Sequence, residues 1–343
     1  METKVFSLKD ERQHEQGMEI ACEVIRAGGL VIFPTETVYG LGADAMNAEA
    51  VRSIFAAKGR PADNPLIVHI SKGEQLYELT HVTELAKKLA DKFWPGPLTL
   101  VLEAKDCVPS VTRGGLSSVG VRMPESEYAR ELISRSGRFI AAPSANISGR
   151  PSPTKAEHVE EDFMGKVPVV LDGGEVRIGV ESTVVDARGE IPVVLRPGGI
   201  TVEMLNEAAG DAKVAKAVLS GLDDGESAPS PGMRYQHYSP EAKVYVVEGE
   251  NAEAIAFKIN SLYDKDIELG KRPLVLCSDA SLRLYNRRNA VSLGATKEQI
   301  AAHIFDAMRT LEADVIYFEA VDTDGIGLAV MNRMIRAAGF DVI

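Results

Sequence analysis

The first half of this chain is organised around one run, Phe33-Pro34-Thr35-Glu36-Thr37-Val38-Tyr39-Gly40-Leu41-Gly42. The apolar residues from Leu30 to Phe33 lead directly into a polar turn, which is typical of a β-strand that ends in a binding site. Because glycine has no Cβ, we expect Gly40 and Gly42 to lie where the backbone bends or approaches a ligand closely. The run therefore predicts a strand that ends at a functional site.

Length and composition limit the class of protein. The chain has 343 residues, 45% of them hydrophobic and 26% charged, which predicts a globular protein of two domains. A net charge of −12 argues against non-specific binding to nucleic acid or membrane surfaces. Three widely spaced cysteines suggest neither disulfides nor a zinc site. With no apolar leader and no membrane-spanning run, we expect a cytoplasmic location.

Periodicity divides the first half into alternating helices and strands. Helices are predicted over 15–27, 48–58, 83–93, 128–134 and 202–209, and another should begin at the capping-box spacing Thr154 to Glu157. Strands are predicted over 30–33, 66–70, 98–102, 118–123, 139–142, 167–171, 182–186 and 192–195. The last two strands are expected to form a hairpin through residues 187–190. Polar turns follow several of these strands and could hold a ligand.

The second half begins after a change in composition. Residues 220–243 are rich in Gly, Asp, Ser and Pro, which is typical of an interdomain linker. After it, strands over 243–247, 273–277, 290–293 and 315–318 alternate with helices over 252–263, 297–311 and 327–338. This alternation predicts a parallel sheet flanked by helices. Its first strand-helix turn, 248–250, lacks the glycine fingerprint of dinucleotide-binding sites, so nucleotide binding is not indicated there.

Basic residues lie beside Gly, Pro and Ser turns at the ends of the predicted elements. Taken alone, Lys58 and Arg60 are better explained by a solvated helix end, where a lysine is favoured electrostatically. Considered together, the set resembles what phosphate oxygens need, because arginine forks and a lysine point charge bind them well. The set is Lys58, Arg60, Asn64, Arg122 and Arg196, with the serines Ser144 and Ser152.

Other polar residues of these turns have two interpretations. Thr35 and Thr37 could bind a ligand or satisfy only their own backbone. His69 is more often a hydrogen-bonded histidine at a strand end than a catalyst, and Glu36 alone is a weak signal for a metal. Ser144 has no nearby His and Asp pattern that would make it a nucleophile. Hydrogen bonding to a ligand is therefore the better hypothesis for this serine.

Eight motifs in order resemble the two-domain form of the threonylcarbamoyl-AMP synthase family. They occupy Pro34 to Gly42, Lys58 to Leu66, Trp94 to Leu100, Val119 to Pro124, Ala142 to Thr154, Glu181 to Asp186, Leu195 to Gly198 and Ser230 to Pro240. The resemblance extends from about Gly17 to the end of the chain. Each motif alone is modest, but the ordered set is highly specific.

The resemblance implies a fold and an activity. The fold would be a YrdC-like α/β domain with a twisted sheet over 1–218, a linker or lid over 219–241, and a smaller Rossmann-like α/β domain over 242–343. The activity would be an L-threonylcarbamoyladenylate synthase, a nucleotidyltransferase that converts L-threonine, bicarbonate and ATP to threonylcarbamoyl-AMP and pyrophosphate. Mg²⁺ would accompany ATP. The product would pass to the machinery that makes threonylcarbamoyladenosine in tRNA; direct tRNA binding stays open.

The resemblance also assigns site residues. The implied L-threonine contacts are Thr37, His69, Arg122, Ala142 through its backbone, and Ser182. The implied ATP contacts are Lys58, Arg60, Asn64, Ser118, Ser144, Ser152, Arg196 and, from the linker, Tyr235. Lys58 and Arg60 are the residues expected to serve catalysis near the phosphates. Neither the oligomeric state, the metal ligands nor the role of the C-terminal domain follows from the sequence.

Two other functions compete with this one. The first is an RNA-binding module without catalysis, against which the acidic net charge counts. The second is a related carbamoyl-adenylate enzyme that uses another carbamoyl donor for metallocentre maturation. Such relatives usually carry acylphosphatase-like and zinc-finger segments, for which this chain has neither the cysteines nor the length.

Overall fold

The computed structural model describes residues 2–61, 64–220, 238 and 240–343, with side chains left out at 219 and 220. The chain divides into two compact units, which are described separately below. The first consists of Met1–Ser148 with Ser152–Tyr235, and the second of Gly149–Pro151 with Gln236–Ile343. The site residues predicted from the sequence, Tyr235 excepted, lie in the described part of the first unit.

The first unit is a mixed α/β structure. Its strands are β1 (Lys4–Ser7), β2 (Val31–Phe33), β3 (Gly40–Asp44), β4 (Ile67–His69), β5 (Thr80–His81), β6 (Leu98–Ala104), β7 (Ser118–Arg122), β8 (Ile140–Ala141), β9 (Val169–Asp172), β10 (Thr183–Asp186), β11 (Val193–Arg196) and β12 (Lys213–Val214). Its helices are α1 (Glu11–Arg26), α2 (Ala48–Lys58), α3 (Leu76–Leu79), α4 (Glu84–Phe93), α5 (Glu127–Ser136), α6 (Ala156–Phe163), α7 (Val202–Ala209) and α8 (Lys216–Ser220). A 3₁₀ turn over Gly73–Gln75 precedes α3.

One large sheet connects these strands among the residues that the structure describes. Its order is β1-β9-β2-β3-β8-β4-β7-β6-β10-β11-β12, and β5 pairs with β6 beside this path. The helices bury apolar residues against the sheet, including Ile54, Leu89 and Phe163. A second apolar cluster around Met18, Ile25 and Phe33 packs α1 and α5 on the sheet. The expected α/β class is confirmed.

Local sequence explains where the helices begin and end. The side chain of Asn47 accepts hydrogen bonds from the backbone of Glu49 and Ala50 at the start of α2, and Gly59 ends it with φ +62°. The bounds of α2 and α7 match the predictions. Helix α1 begins at Glu11 rather than residue 15, because Asp10 caps it by accepting from the backbone of Gln13.

The backbone bend predicted at Gly40 and Gly42 was wrong. Both belong to β3, which pairs antiparallel with β2, so the opening run is a strand hairpin around the polar turn. A Cβ on Gly42 would lie 2.7 Å from Phe33 Cε1 and from Ile140 Cγ2, and one on Gly40 would lie 3.3 Å from Phe33 Cζ. Both glycines therefore make room for core side chains.

The predicted capping box at Thr154 was also wrong, although a helix does begin there. Lys155 precedes α6 without a side-chain capping hydrogen bond. Thr154 instead donates its backbone N–H to His158 Nδ1 at 3.2 Å. The histidine ring thus satisfies the donor that the box would have used.

The second unit is a parallel α/β structure, as predicted. Its strands are β13 (Lys243–Val247), β14 (Pro273–Cys277), β15 (Ala290–Ser292) and β16 (Val315–Glu319), and its helices are α9 (Ala252–Glu268), α10 (Lys297–Thr310) and α11 (Gly327–Ala337). A 3₁₀ turn covers Leu282–Tyr285. The strands pair in parallel in the order β13-β16-β14-β15. Buried Ile259, Val275 and Tyr317 belong to its core.

Candidate active site

The sheet brings most of the predicted threonine contacts together. His69 and Arg122 are paired residues at the carboxyl ends of the parallel strands β4 and β7. Ala142 follows β8, which pairs with β4, and its backbone N–H donates to Ile67 O at 3.0 Å. Thr37 lies in the turn between β2 and β3, and Arg122 reaches it. The polar turn and two strand ends therefore form one buried cluster.

Two threonines in the turn have different roles. Thr35 Oγ1 donates to Val38 O at 2.6 Å and accepts from the backbone N–H groups of Thr37 and Val38, both at 3.2 Å. It is the turn-forming residue. Since its single proton goes to Val38, the hydroxyl of Thr37 donates to Thr35 Oγ1 at 2.8 Å. Thr37 Oγ1 also accepts from Arg122 Nη1 at 3.0 Å, which connects the turn to the arginine.

Arg122 is buried and held by three acceptors. Nη2 donates to Glu36 Oε1 at 2.6 Å, Nη1 to Thr37 Oγ1, and Nε to Gly96 O at 3.4 Å. A guanidinium has five N–H donors, so one on each terminal nitrogen lacks a partner among the described residues. Burial raises the pKa of Glu36, but the charge and hydrogen bond of Arg122 outweigh this effect and hold the pKa below its ordinary value. Glu36 is therefore an ionised carboxylate.

His69 is a buried, neutral histidine. Burial first, and then the positive charge of Arg122, lower its pKa to about 3. Its Nδ1 has no hydrogen-bond partner among the described residues, so the interpretation as a satisfied strand-end histidine fails for that atom. The ring lies edge-on to Phe33, with centroids 6.1 Å apart. A neutral ring with an unpartnered nitrogen can exchange one hydrogen bond with a ligand.

A second cluster joins the strand ends of β10 and β11. Arg196 donates from Nε to Ser182 O and from Nη2 to Ser182 Oγ, both at 3.2 Å. The Ser182 hydroxyl also lies 2.8 Å from Thr99 Oγ1. The backbone N–H of Thr183 donates to Pro97 O at 2.9 Å, which connects this cluster to the segment that contacts Arg122. The structure therefore places Ser182 beside Arg196. The hydrogen bond between Thr183 and Pro97 links this second cluster to the first.

Lys58 is buried, so the solvated-helix-end interpretation was wrong. Its side chain leaves the end of α2 and donates from Nζ to Ser144 O at 2.6 Å and to Asn146 O. Ser144 Oγ donates to Asn146 Oδ1 at 2.6 Å, which closes the same loop. The ammonium group thus holds a loop that contains a predicted ATP contact, and the loop folds around a positive charge.

Asn64 is a fully buried residue that makes no side-chain hydrogen bond with the described residues: both Oδ1 and Nδ2 lack a partner. Such a group costs free energy unless a ligand or water completes it. It precedes β4, at the opposite end of that strand from His69. Ser118 occupies the same end of β7, about 13 Å along the strand from Arg122 at about 3.3 Å per residue. Two predicted ATP contacts are therefore separated from the threonine cluster along the strands.

The remaining predicted ATP contacts have varied surroundings. Arg60 is buried with its guanidinium carbon 6.0 Å from the centroid of the Phe55 ring. Ser152 Oγ donates to a carboxylate oxygen of Glu181. Tyr235, with most of the motif from Ser230 to Pro240, lies outside the described residues. Its predicted role as a nucleotide contact stays a prediction.

Sequence reasoning missed the partners of the predicted residues. Glu36 was considered only as a weak metal ligand, yet it pairs with Arg122. Thr99 and Glu181 were not singled out, although they contact Ser182 and Ser152. Each lies inside one of the motifs of the resemblance, and Glu36 and Glu181 are next to chosen residues, Thr37 and Ser182. Their position within these motifs was the available sequence signal. Which side chains they contact is determined only by how the strands pair in the sheet.

Comparison with known proteins shows the family. A family model for Sua5, YciO and YrdC, described as "Telomere recombination", matches residues 23–198, and a model described as "Threonylcarbamoyl-AMP synthase, C-terminal domain" matches residues 200–339. The chain belongs to the threonylcarbamoyl-AMP synthase family. This confirms the resemblance inferred from the motifs, and the two matches together cover both units.

Named relatives and a solved structure agree with the family assignment. A threonylcarbamoyl-AMP synthase of Pyrococcus abyssi is 50% identical over 97% of this chain and 97% of its own length. One of Bacillus subtilis is 46% identical over 94% of this chain and 93% of its own. The crystal structure of P. abyssi Sua5 complexed with L-threonine matches with TM-score 0.92 and 48% identity, covering 99% of each chain. These names do not favour the RNA-binding alternative.

Two features are absent from the part of the chain that the structure describes. No group of three or more His, Cys, Asp or Glu residues lies together as a metal site would require. No helix there combines the length and the apolar character needed to cross a membrane.

Proposed function

We propose that this chain is a nucleotidyltransferase that makes threonylcarbamoyl-AMP and pyrophosphate from L-threonine, bicarbonate and ATP. The observation that carries the proposal is the buried cluster of Arg122, Thr37 and His69 at the ends of β4 and β7. Membership of a family named for this activity, and a solved relative named as a complex with L-threonine, support it. The product would be used by enzymes that modify tRNA with threonylcarbamoyl groups.

The threonine end of the site follows from the donors that remain available. Arg122 keeps one N–H on each terminal nitrogen, which suits the two oxygens of a carboxylate. His69 is neutral and offers Nδ1, and Ser182 offers a hydroxyl next to Arg196. In this proposal Arg122 binds the carboxylate of threonine, while Thr37 and the backbone of Ala142 complete the amino-acid site.

The reaction needs charge neutralisation more than acid-base chemistry. The threonine nitrogen attacks the carbon of bicarbonate, and loss of water leaves a carbamate. A carbamate oxygen then attacks the α-phosphorus of ATP, and the bond to the β-phosphate oxygen breaks as pyrophosphate leaves. Two anions must meet, so positive groups that are already in place lower the barrier. Arg60 and Arg196, both buried, are the guanidinium groups that we assign to the phosphates, together with Lys58.

Five further residues complete the nucleotide end of the proposed site: Asn64, Ser118, Ser144, Ser152 and Tyr235. The case is sharpest for Asn64, because its buried amide has no partner among the described residues and can both donate to and accept from a ligand. Mg²⁺ would enter with ATP, held by phosphate oxygens and water, which is how this ion commonly binds nucleotides. We assign it no protein ligand.

The proposal is tested by incubating the protein with ATP, bicarbonate and L-threonine and measuring threonylcarbamoyl-AMP by mass spectrometry and pyrophosphate by a coupled assay. Omission of any one substrate should abolish the product. Arg122→Leu should also lose it, whereas Arg138→Leu, which removes a half-exposed arginine 3.4 Å from Asp44, should keep it. Absence of the adenylate with the wild-type protein would refute the proposed function.

A further inference from the structure

Glu36 is a buried carboxylate that the proposed reaction does not use. It lies within a cluster whose expected ligand is itself a carboxylate, and it forms an ion pair with Arg122 in which both side chains are 5% exposed. By charge alone, an anion at this place weakens the binding of another anion. Its surroundings indicate a different consequence.

Hydrogen bonds hold both the side chain and the backbone of Glu36. Oε1 accepts from Arg122 Nη2 at 2.6 Å, and Oε2 accepts from the backbone N–H of Ser126 at 3.3 Å. The backbone carbonyl of Glu36 accepts from Ile178 N at 2.9 Å. A carboxylate with both oxygens engaged and its backbone anchored is a poor candidate for displacement by a substrate. It is instead a stable reference point for the guanidinium.

We infer that Glu36 is a positioning residue that holds Arg122 in the orientation that binds the carboxylate of the amino-acid substrate. Each nitrogen of the guanidinium donates one hydrogen bond to a different acceptor: Glu36 Oε1, Thr37 Oγ1 or Gly96 O. The two remaining N–H groups then have a fixed direction, which is what a bidentate contact requires. The inference rests on the proposed function, because it assumes that Arg122 binds threonine.

Glu36→Gln tests this role, since the amide keeps the shape but not the charge. A glutamine side chain replaces one of the two acceptor oxygens with an NH₂ donor, so it cannot offer a separate acceptor to each of Arg122 and Ser126 as the carboxylate does. We expect the dissociation constant for L-threonine, measured by titration calorimetry, to rise at least about tenfold, as for loss of a charge-assisted hydrogen bond. The KM for ATP should change less than about twofold, because the inferred contact concerns only the amino acid.

Comparison of L-threonine with L-threoninamide separates positioning from a purely structural role. The amide has no carboxylate, so Glu36→Gln should weaken its binding, measured directly or as competition with threonine, much less than it weakens L-threonine binding. Equal loss for both ligands would show that the change only disturbs the fold. Tighter binding of L-threonine would show that Glu36 competes with the substrate. Either result would overturn the inference.

A matched control is available on the surface. Glu15 pairs with Arg135 at the same distance of 2.6 Å but is largely exposed, so Glu15→Gln should leave binding of both ligands unchanged. If Glu36→Gln does not fold, Glu36→Asp keeps the charge but shortens the side chain by one methylene, and the same selective loss is expected. Failure of the wild-type protein to bind L-threonine would refute the proposed function. Threonine binding that neither Glu36 variant alters would refute only this inference.

Discussion

Lys58→Ala is the substitution whose effect can be worked out most fully from the structure. The wild-type ammonium donates to the carbonyls of Ser144 and Asn146 from the end of α2. A hydrogen bond to a charged group contributes about 1.5–3 kcal/mol, so two contribute about 3–6 kcal/mol at most. Ser144 is half-buried, so water can replace part of this loss. We expect destabilisation of about 2–4 kcal/mol.

The same substitution should act unequally on the two ends of the site. The loop that contains Ser144 would lose its central cation, and a positive charge assigned to the phosphates would be absent. We therefore expect threonylcarbamoyl-AMP formation to fall at least about a hundredfold, a loss typical of removing preorganised electrostatic stabilisation. The affinity for L-threonine should stay within about threefold, because its expected contacts with Arg122 and Thr37 are unchanged.

The assay combines thermal unfolding, pyrophosphate release and titration of L-threonine. A loss of about 2–4 kcal/mol corresponds to a decrease of about 4–16 °C in the Tm of a unit this size. Lys92→Ala is the control, because Lys92 forms an exposed ion pair with Glu207 at 3.6 Å. It should cost no more than about 1 kcal/mol. Loss of threonine binding with normal ATP turnover in Lys58→Ala would refute the assignment, and an unchanged Tm would refute the structural argument.

Three further predictions concern buried positions. Asn64→Ala should change the free energy of unfolding by less than about 1 kcal/mol, since its side chain makes no hydrogen bond with the described residues, while ATP affinity, measured by calorimetry, falls about tenfold. A stability loss with normal ATP affinity would contradict this prediction. Gly42→Ala should destabilise by about 1–3 kcal/mol in urea unfolding, because its Cβ would lie 2.7 Å from two core side chains. The folded pKa of His69, about 3, lies below the unfolded value, so acidification below about 6.5 favours the unfolded state, which binds the proton. The free energy of unfolding should therefore fall between pH 7 and pH 4.5 by about 2–3 kcal/mol more in the wild-type protein than in His69→Asn. An equal fall in the two proteins would contradict the lowered pKa of His69.

Much of the local structure could be predicted because its causes lie within a few residues in the chain. Helix α2 begins after Asn47 and ends at Gly59 because a side-chain cap and a left-handed glycine act over a single turn. The parallel sheet of the second unit followed from the alternation of strands and helices, and its first and second strands have the predicted bounds. The prediction for Gly42 failed because a distant residue decided the outcome: Ile140, far along the chain, lies where a Cβ on Gly42 would be.

For the site, the sequence alone determined which residue types are present and, through the ordered motifs, the family to which they belong. It placed Thr37, Arg122 and Lys58 at strand or helix ends, because turns and apolar runs are local properties. Only the tertiary structure decided their partners: Glu36 with Arg122 across 86 positions of the chain, and Lys58 with Ser144 across another 86. The physical reason is burial. Removal from water makes each charged group require a specific partner, and sheet pairing rather than sequence separation determines which groups are near enough to meet that requirement.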